Sequence, residues 1–152
     1  MVDEYNVIKK FELTINEETL KEYEEYYFSI HTKAHKRPIE HPYHPSINVW
    51  FIMQRPQMND LKQKWKDFII LWIKDLCLEN IKLDSYVIRF TTFMPTKRRY
   101  DPDNSTPKFI MDGFTEGCFI VDDDGEHCKE LQLRTRYDKN NPRTEIEIWQ
   151  VS

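Results

Sequence analysis

The stretch Arg98-Arg99-Tyr100-Asp101-Pro102-Asp103-Asn104 places two carboxylates two residues apart behind a basic pair, and Val121-Asp122-Asp123-Asp124-Gly125 places three more in a row behind an apolar run. Carboxylates crowded in this way repel one another, and a cation among them relieves the repulsion. Pro102 biases Asp101 toward extended backbone, which in a strand-like run turns Asp101 and Asp103 to the same side. Mg2+ is held by one or two carboxylates together with water and substrate phosphate. Asp101 and Asp103 are therefore candidate metal ligands, and Asp123 or Asp124 a source of a third. Two such ions about 4 Å apart activate water and stabilise the leaving oxygen of a phosphodiester.

Lys97, Arg98, Arg99 and Lys108 flank these acids. Acids alone would repel a nucleic acid, whereas these cations bind phosphates and lead the backbone to the metal. Lys108, expected at the start of a helix, also suits the stabilisation of transition-state charge. The plainer reading makes Asp101, Asp103 and Asp122 to Asp124 ordinary turn and cap acids. A calcium loop fits poorly. Asp101, Asp103, Ser105 and Asp112 fall at EF-hand positions 1, 3, 5 and 12, but Thr106 stands where the sharp turn requires glycine, and Pro107 starts a helix inside the loop. His31, His35, His41 and His44 lie among prolines at no common zinc spacing and read as a solvated loop. Nucleophile elbows and glycine-rich phosphate loops are absent from a chain with three glycines.

The 152 residues, 39% of them apolar, suffice for one domain with a real core. The net charge of −4 is unevenly spread. Residues 1–27 hold eight acids against three lysines, whereas residues 85–100 hold four basic residues and no acid. Cys77, Cys118 and Cys128 show no CxxC pairing, so neither a disulfide framework nor a zinc ribbon is expected, and a reducing, cytoplasmic setting follows. The acidic N-terminus and the lack of a long apolar run predict neither secretion nor membrane insertion.

These residues need elements to position them. Val7, Phe11, Leu13 and Ile15 alternate as in a strand, and Leu20, Tyr23, Tyr27 and Ile30 follow at helical spacing. Residues 59–79 carry Leu61, Trp65, Phe68, Ile69, Trp72 and Leu76 on one helical face, with Asn59 as its cap. That aromatic stripe predicts core or a subunit interface. Residues 85–94 read as a strand delivering the chain to Lys97. A helix then begins at Pro107, capped by Thr106, buries Phe109, Ile110, Met111 and Phe114, and stops at Gly117. Strands with Leu131 and Leu133, then Ile146 and Ile148, turned inward follow on either side of a turn. The expected architecture is α+β, a small mixed sheet with packed helices. One domain spans residues 1–152, with 1–45 as an acidic, His- and Pro-rich extension and 46–152 as the motif-bearing core.

The run from Arg98 to Leu133, "RRYDPDNSTPKFIMDGFTEGCFIVDDDGEHCKELQL", resembles the RusA family of Holliday junction resolvases. The likeness rests on the order DxDN, lysine, Asp-Gly-Phe and an acidic pair after a short apolar stretch. It covers roughly residues 85–136, with none seen in the first 45. The resemblance implies a homodimeric, Mg2+-dependent endonuclease of bacteria or phages, with Mn2+ as a possible substitute, that nicks four-way DNA junctions symmetrically in recombination and repair. It carries catalytic roles onto Asp101, Asp103, either Asp124 or Asp123, and Lys108. Asn104 would order the turn and Asp112 would support Lys108. The rival class is a non-catalytic binder of branched DNA, which would keep the basic patch without needing the acids.

Overall fold

Alternation of apolar and polar residues produces strand β1 (Val7–Ile15), whose Phe11, Leu13 and Ile15 are buried while the residues between them are exposed. In the computed structural model, which describes residues 2–152, Asn16 ends this strand and starts helix α1 (Glu17–Ile30). The Asn16 Oδ1 accepts from the Thr19 N–H at 2.9 Å, and the Thr19 Oγ1 accepts from the Asn16 N–H at 3.2 Å, a reciprocal capping box. Leu20 and Tyr23 are buried, and Tyr23 lies 5.0 Å from the Phe68 ring. Ile30, expected inward, is exposed because the last turn overruns the core. The stretch expected to form an N-terminal extension thus supplies a strand and a packed helix. Glu17 and Glu24 of this stretch engage Arg37 and most of its other acids face solvent, while its alternate apolar side chains complete the core.

After the one-turn helix α2 (Ile47–Trp50) comes α3 (Arg55–Asp75), which starts four residues earlier than its periodicity predicts. Pro56 explains the difference, since its fixed φ and missing N–H suit a first turn, and Asn59 lies inside the helix rather than capping it. The helix ends where the exposed Cys77 takes a left-handed φ of 59°. Trp65, Phe68, Ile69, Trp72 and Ile73 are all buried within the chain's own core. The aromatic stripe is therefore spent on folding and offers no subunit interface.

Strands β2 (Tyr86–Met94), β3 (Cys128–Tyr137) and β4 (Arg143–Val151) complete a four-stranded sheet of order β1-β4-β2-β3. It is mixed: β4 is antiparallel to both β1 and β2, while β2 and β3 are parallel. The short turn from β3 to β4 does not make a hairpin, because β2 lies between them and the Asp138 N–H extends its ladder to the Met94 carbonyl at 2.9 Å. One sheet face, with Ile88, Phe90, Ile146 and Ile148, forms the core with the helices. Leu133 packs there, but Leu131, expected inward, is exposed on the edge strand. On the other face Glu147 is held by Lys10 at 3.1 Å and Arg89 at 3.3 Å.

The parallel pair is joined through α4 (Lys108–Glu116), which buries Phe109, Ile110, Met111 and Phe114. Its contact with α3 requires Gly113, where a Cβ would lie 2.5 Å from the Ile69 Cβ. Beyond Gly117 the left-handed residue is Cys118, at φ 63°. Among the described residues all three cysteines are free, and no helix is long and apolar enough to cross a membrane.

Candidate active site

Strand β2 delivers the chain to Lys97, Arg98 and Arg99, which are exposed; the Lys97 ammonium lies 5.2 Å from the centre of the Tyr137 ring. Asp101 is extended, at φ −74° and ψ 138°, but Pro102–Ser105 winds into a single 3-10 turn. The Asn104 N–H donates to the Asp101 carbonyl at 3.0 Å, and the Thr106 N–H to the Asp103 carbonyl at 3.3 Å. The expected strand-like claw is thus corrected. Pro102 pre-sets the φ of a first helical position, so Asp103 sits on a turn that follows an extended Asp101. Exposed Asp101 meets the exposed Arg99 Nε at 3.4 Å, a weak pairing. Among the described residues, nothing bonds or pairs with the Asp103 carboxylate. Asn104 accepts from the Asn48 amide at 3.3 Å, which ties α2 to the turn. Buried Ser105 has an Oγ without a partner.

Helix α4 begins without a side-chain cap of its own. Pro107 occupies the cap position, and the Thr106 hydroxyl, expected to cap, instead donates to the Asp103 carbonyl at 2.7 Å. The missing acceptor comes from His44, 65 residues away, whose Nε2 accepts from the Phe109 N–H at 3.0 Å while Nδ1 donates to the Pro45 carbonyl at 2.9 Å. His44 is buried beside Trp65 and Phe109, and burial lowers its pKa to about 4. This neutral, fixed imidazole is the residue that sequence reasoning missed, having taken it for part of a solvated loop. The sequence carried no signal for it, because Thr106 stands directly before Pro107 as a ready cap and only the structure turns its hydroxyl to Asp103. The cap anchors the turn bearing Lys108, whose ammonium lies 3.5 Å from Asp112.

The acid triplet resolves into different environments. Buried Tyr86 donates its hydroxyl to the Asp122 carbonyl at 2.8 Å, and the Asp122 carboxylate accepts from the Asp123 N–H at 2.8 Å. Burial first, then the Asp122 side chain and the Asp112 charge, push the Asp123 carboxyl above the usual range, against the pull of Lys108. Asp123 therefore shares an electrostatic neighbourhood with Lys108 and Asp112. Asp124 faces elsewhere: its Oδ1 accepts from the N–H groups of Glu126 and His127, each at 3.2 Å. His127 is clasped between Asp84, with Nδ1 2.7 Å from the carbonyl and 3.1 Å from the carboxylate, and Asp124, 3.8 Å from Nε2. The Asp84 carbonyl and then the nearby carboxylates raise its pKa.

Among the described residues, Asp124, Glu126 and His127 form the one trio whose ligand atoms lie within 4.8 Å of one another; Asp101, Asp103 and Asp123 do not close into such a set. The donors still suit a hard cation. They are carboxylate oxygens, at least one of them, on Asp103, is uncommitted, and Asp123 carries the strained ionisation that a cation would relieve.

A family model described as endodeoxyribonuclease RusA matches residues 4–149. The match takes in β1 and α1, where the motifs alone show no likeness. No curated protein matches the chain. With a paired-acid turn, a basic approach and a family match running almost end to end, the chain belongs to the RusA family of endodeoxyribonucleases, hydrolases that act on Holliday junctions.

Proposed function

We propose that the protein is a Mg2+-dependent resolvase, served also by Mn2+, that cuts four-way junctions by paired symmetric nicks as a homodimer in DNA recombination and repair. The observation that carries this reading is the Asp101–Asp103 turn: its carboxylates are exposed, that of Asp103 has no partner among the described residues, and Lys97 to Arg99 stand beside them. A structural cap would use its oxygens; this turn leaves those of Asp103 free for a ligand and holds Asp101 only by a weak contact with Arg99.

Asp101 and Asp103 would hold the cation, with a third carboxylate from Asp123 or Asp124. When bound, the ion supplies an activated water and charge stabilisation at the leaving oxygen. Lys97, Arg98 and Arg99 grip the phosphates either side of the scissile bond. Lys108, held by Asp112 and by the His44-capped helix, neutralises charge on the phosphoryl oxygens. Asn104, joined to Asn48, keeps the turn in register. A two-fold dimer would match a near-symmetric junction with two equivalent sites.

The test is nicking of a synthetic four-way junction beside a linear duplex, in Mg2+, Ca2+ or EDTA, by wild type and Asp103→Asn. Paired nicks in the junction alone, from wild type in Mg2+ alone, are expected. Tight junction binding without a cut in any metal would instead establish the non-catalytic binder.

A further inference from the structure

A groove of about 590 Å³ opens beside the catalytic turn. Tyr100, the residue before Asp101, lines it together with Tyr43 and His41, while Val49, Met53 and Trp65 also contribute to its lining. Its size falls in the roughly 300–1,000 Å³ range of sites that enclose a small ligand. The His41 and Tyr43 rings are stacked, 5.0 Å apart and 4° from parallel. Val49 is 52% exposed and presents uncovered apolar surface.

The charges of the groove select among ligands. Asp60 and Lys64 neutralise each other at 2.9 Å, and Arg37 is engaged by Glu17 and Glu24, which leaves Lys36 opposed by Glu40. A nearly neutral groove with aromatic walls is poorly suited to phosphate, which the exposed Lys97 to Arg99 stretch accommodates better. It suits a flat, weakly polar ring, and every nucleobase has such a face. The chain from His41 to Asn59 also contains no acid that would repel the phosphate attached to that base.

We propose that this groove receives an unstacked nucleobase of the substrate, the one flanking the phosphate that is cut at the Asp101–Asp103 turn. The site rests on the nuclease reading for taking DNA as the substrate, and it adds a source of selectivity. Extruding a base from intact duplex breaks its pairing and stacking, whereas at a branch point the pairing is already weakened. The groove therefore rewards branched DNA over linear duplex without reading sequence.

The experiment combines a change in each partner. Four-way junctions with either a normal or an abasic nucleotide beside the nick are cut by wild type, by Val49→Trp, which fills the groove, and by Tyr100→Ala, each checked for wild-type thermal unfolding. Loss of the base is expected to slow wild type about tenfold, in line with one base–aromatic stack. Val49→Trp is expected to slow the normal junction by a similar factor, after which the abasic change adds less than about twofold. Losses that multiply independently would overturn the groove. Binding of the same junctions to Asp103→Asn protein in Ca2+ reads the coupling without cleavage. Coupling in that binding, together with a wild type that cuts no junction, would support the groove and overturn the nuclease, while cutting by wild type without coupling would do the reverse.

Discussion

Asp103 and Asp123 are acids of different kinds, and their amide variants should behave differently. Asp103 is exposed and uncommitted, so Asp103→Asn breaks no contact; unfolding should shift by less than about 0.5 kcal/mol. Junction nicking should nevertheless fall more than about 100-fold, because the lost ligand acts through the cation. Thermal melts and a nicking assay on one preparation check both halves. Asp123 is partly buried and its carboxyl is raised. A raised carboxyl keeps its proton to higher pH than an ordinary one, so below that pKa a cation binding there displaces a proton, and its affinity should climb as pH rises through that pKa. Titration calorimetry in buffers of different ionisation enthalpy should register the released proton in wild type and a smaller release in Asp123→Asn. Asp124→Asn retains the oxygen that accepts from Glu126 and His127, so any loss of cleavage in that variant reports on ligation and not on the turn.

At the scale of elements, α4 depends on His44 and on Gly113. His44→Ala would orphan the buried Phe109 N–H and leave space between Trp65 and Phe109, at a cost of about 2–4 kcal/mol. The pH dependence has a definite sign. The imidazole titrates at about 4 in the folded chain, against 6.5 for the ordinary group, so the unfolded chain binds the proton more tightly. The stabilisation from a neutral His44 is complete above pH 6.5. It declines as pH falls toward about 4, by about 3 kcal/mol in all. Unfolding midpoints measured across that window should drop more steeply in wild type than in His44→Gln, whose amide accepts a hydrogen bond without titrating. Gly113→Ala places a methyl against Ile69, and the forced shift of α4 away from α3 should cost about 1–3 kcal/mol by chemical denaturation.

The whole molecule carries a net charge of −4, yet it presents a local cationic edge. Junction affinity should therefore fall steeply with salt, and replacing both Arg98 and Arg99 by alanine should lower the slope of log K against log salt by about 2, as read by fluorescence anisotropy. Loss of affinity without a change in slope would place those side chains off the phosphates. Paired nicking needs two sites. Because the Trp65–Trp72 stripe is buried within the chain, the proposed dimer would have to use another surface. Sedimentation at micromolar concentration should return twice the chain mass.

Local regularities are written along the chain, and they were sufficient for much of this protein. Alternation identified β1 and β4, β-branched and aromatic residues identified β2, helical periodicity identified the body of α3, and the order of DxDN, lysine and paired acids carried the family. Each depends on residues within a few turns or strand steps of one another, where side-chain period alone decides which face is buried. What the tertiary structure decided depends on distant partners. β2 inserts between β3 and β4 although a short turn joins those two, because neighbours in a sheet are chosen by the packing of whole faces. Asp103 left its expected extended course for a turn tied by Asn104 to Asn48, 56 residues away, and Asp123 was separated from Asp124 by their different surroundings. His44 reads as solvated among its prolines and becomes a buried cap only when α4 folds against it, because a side chain's ionisation and hydrogen bonding belong to its surroundings and not to its neighbours in sequence.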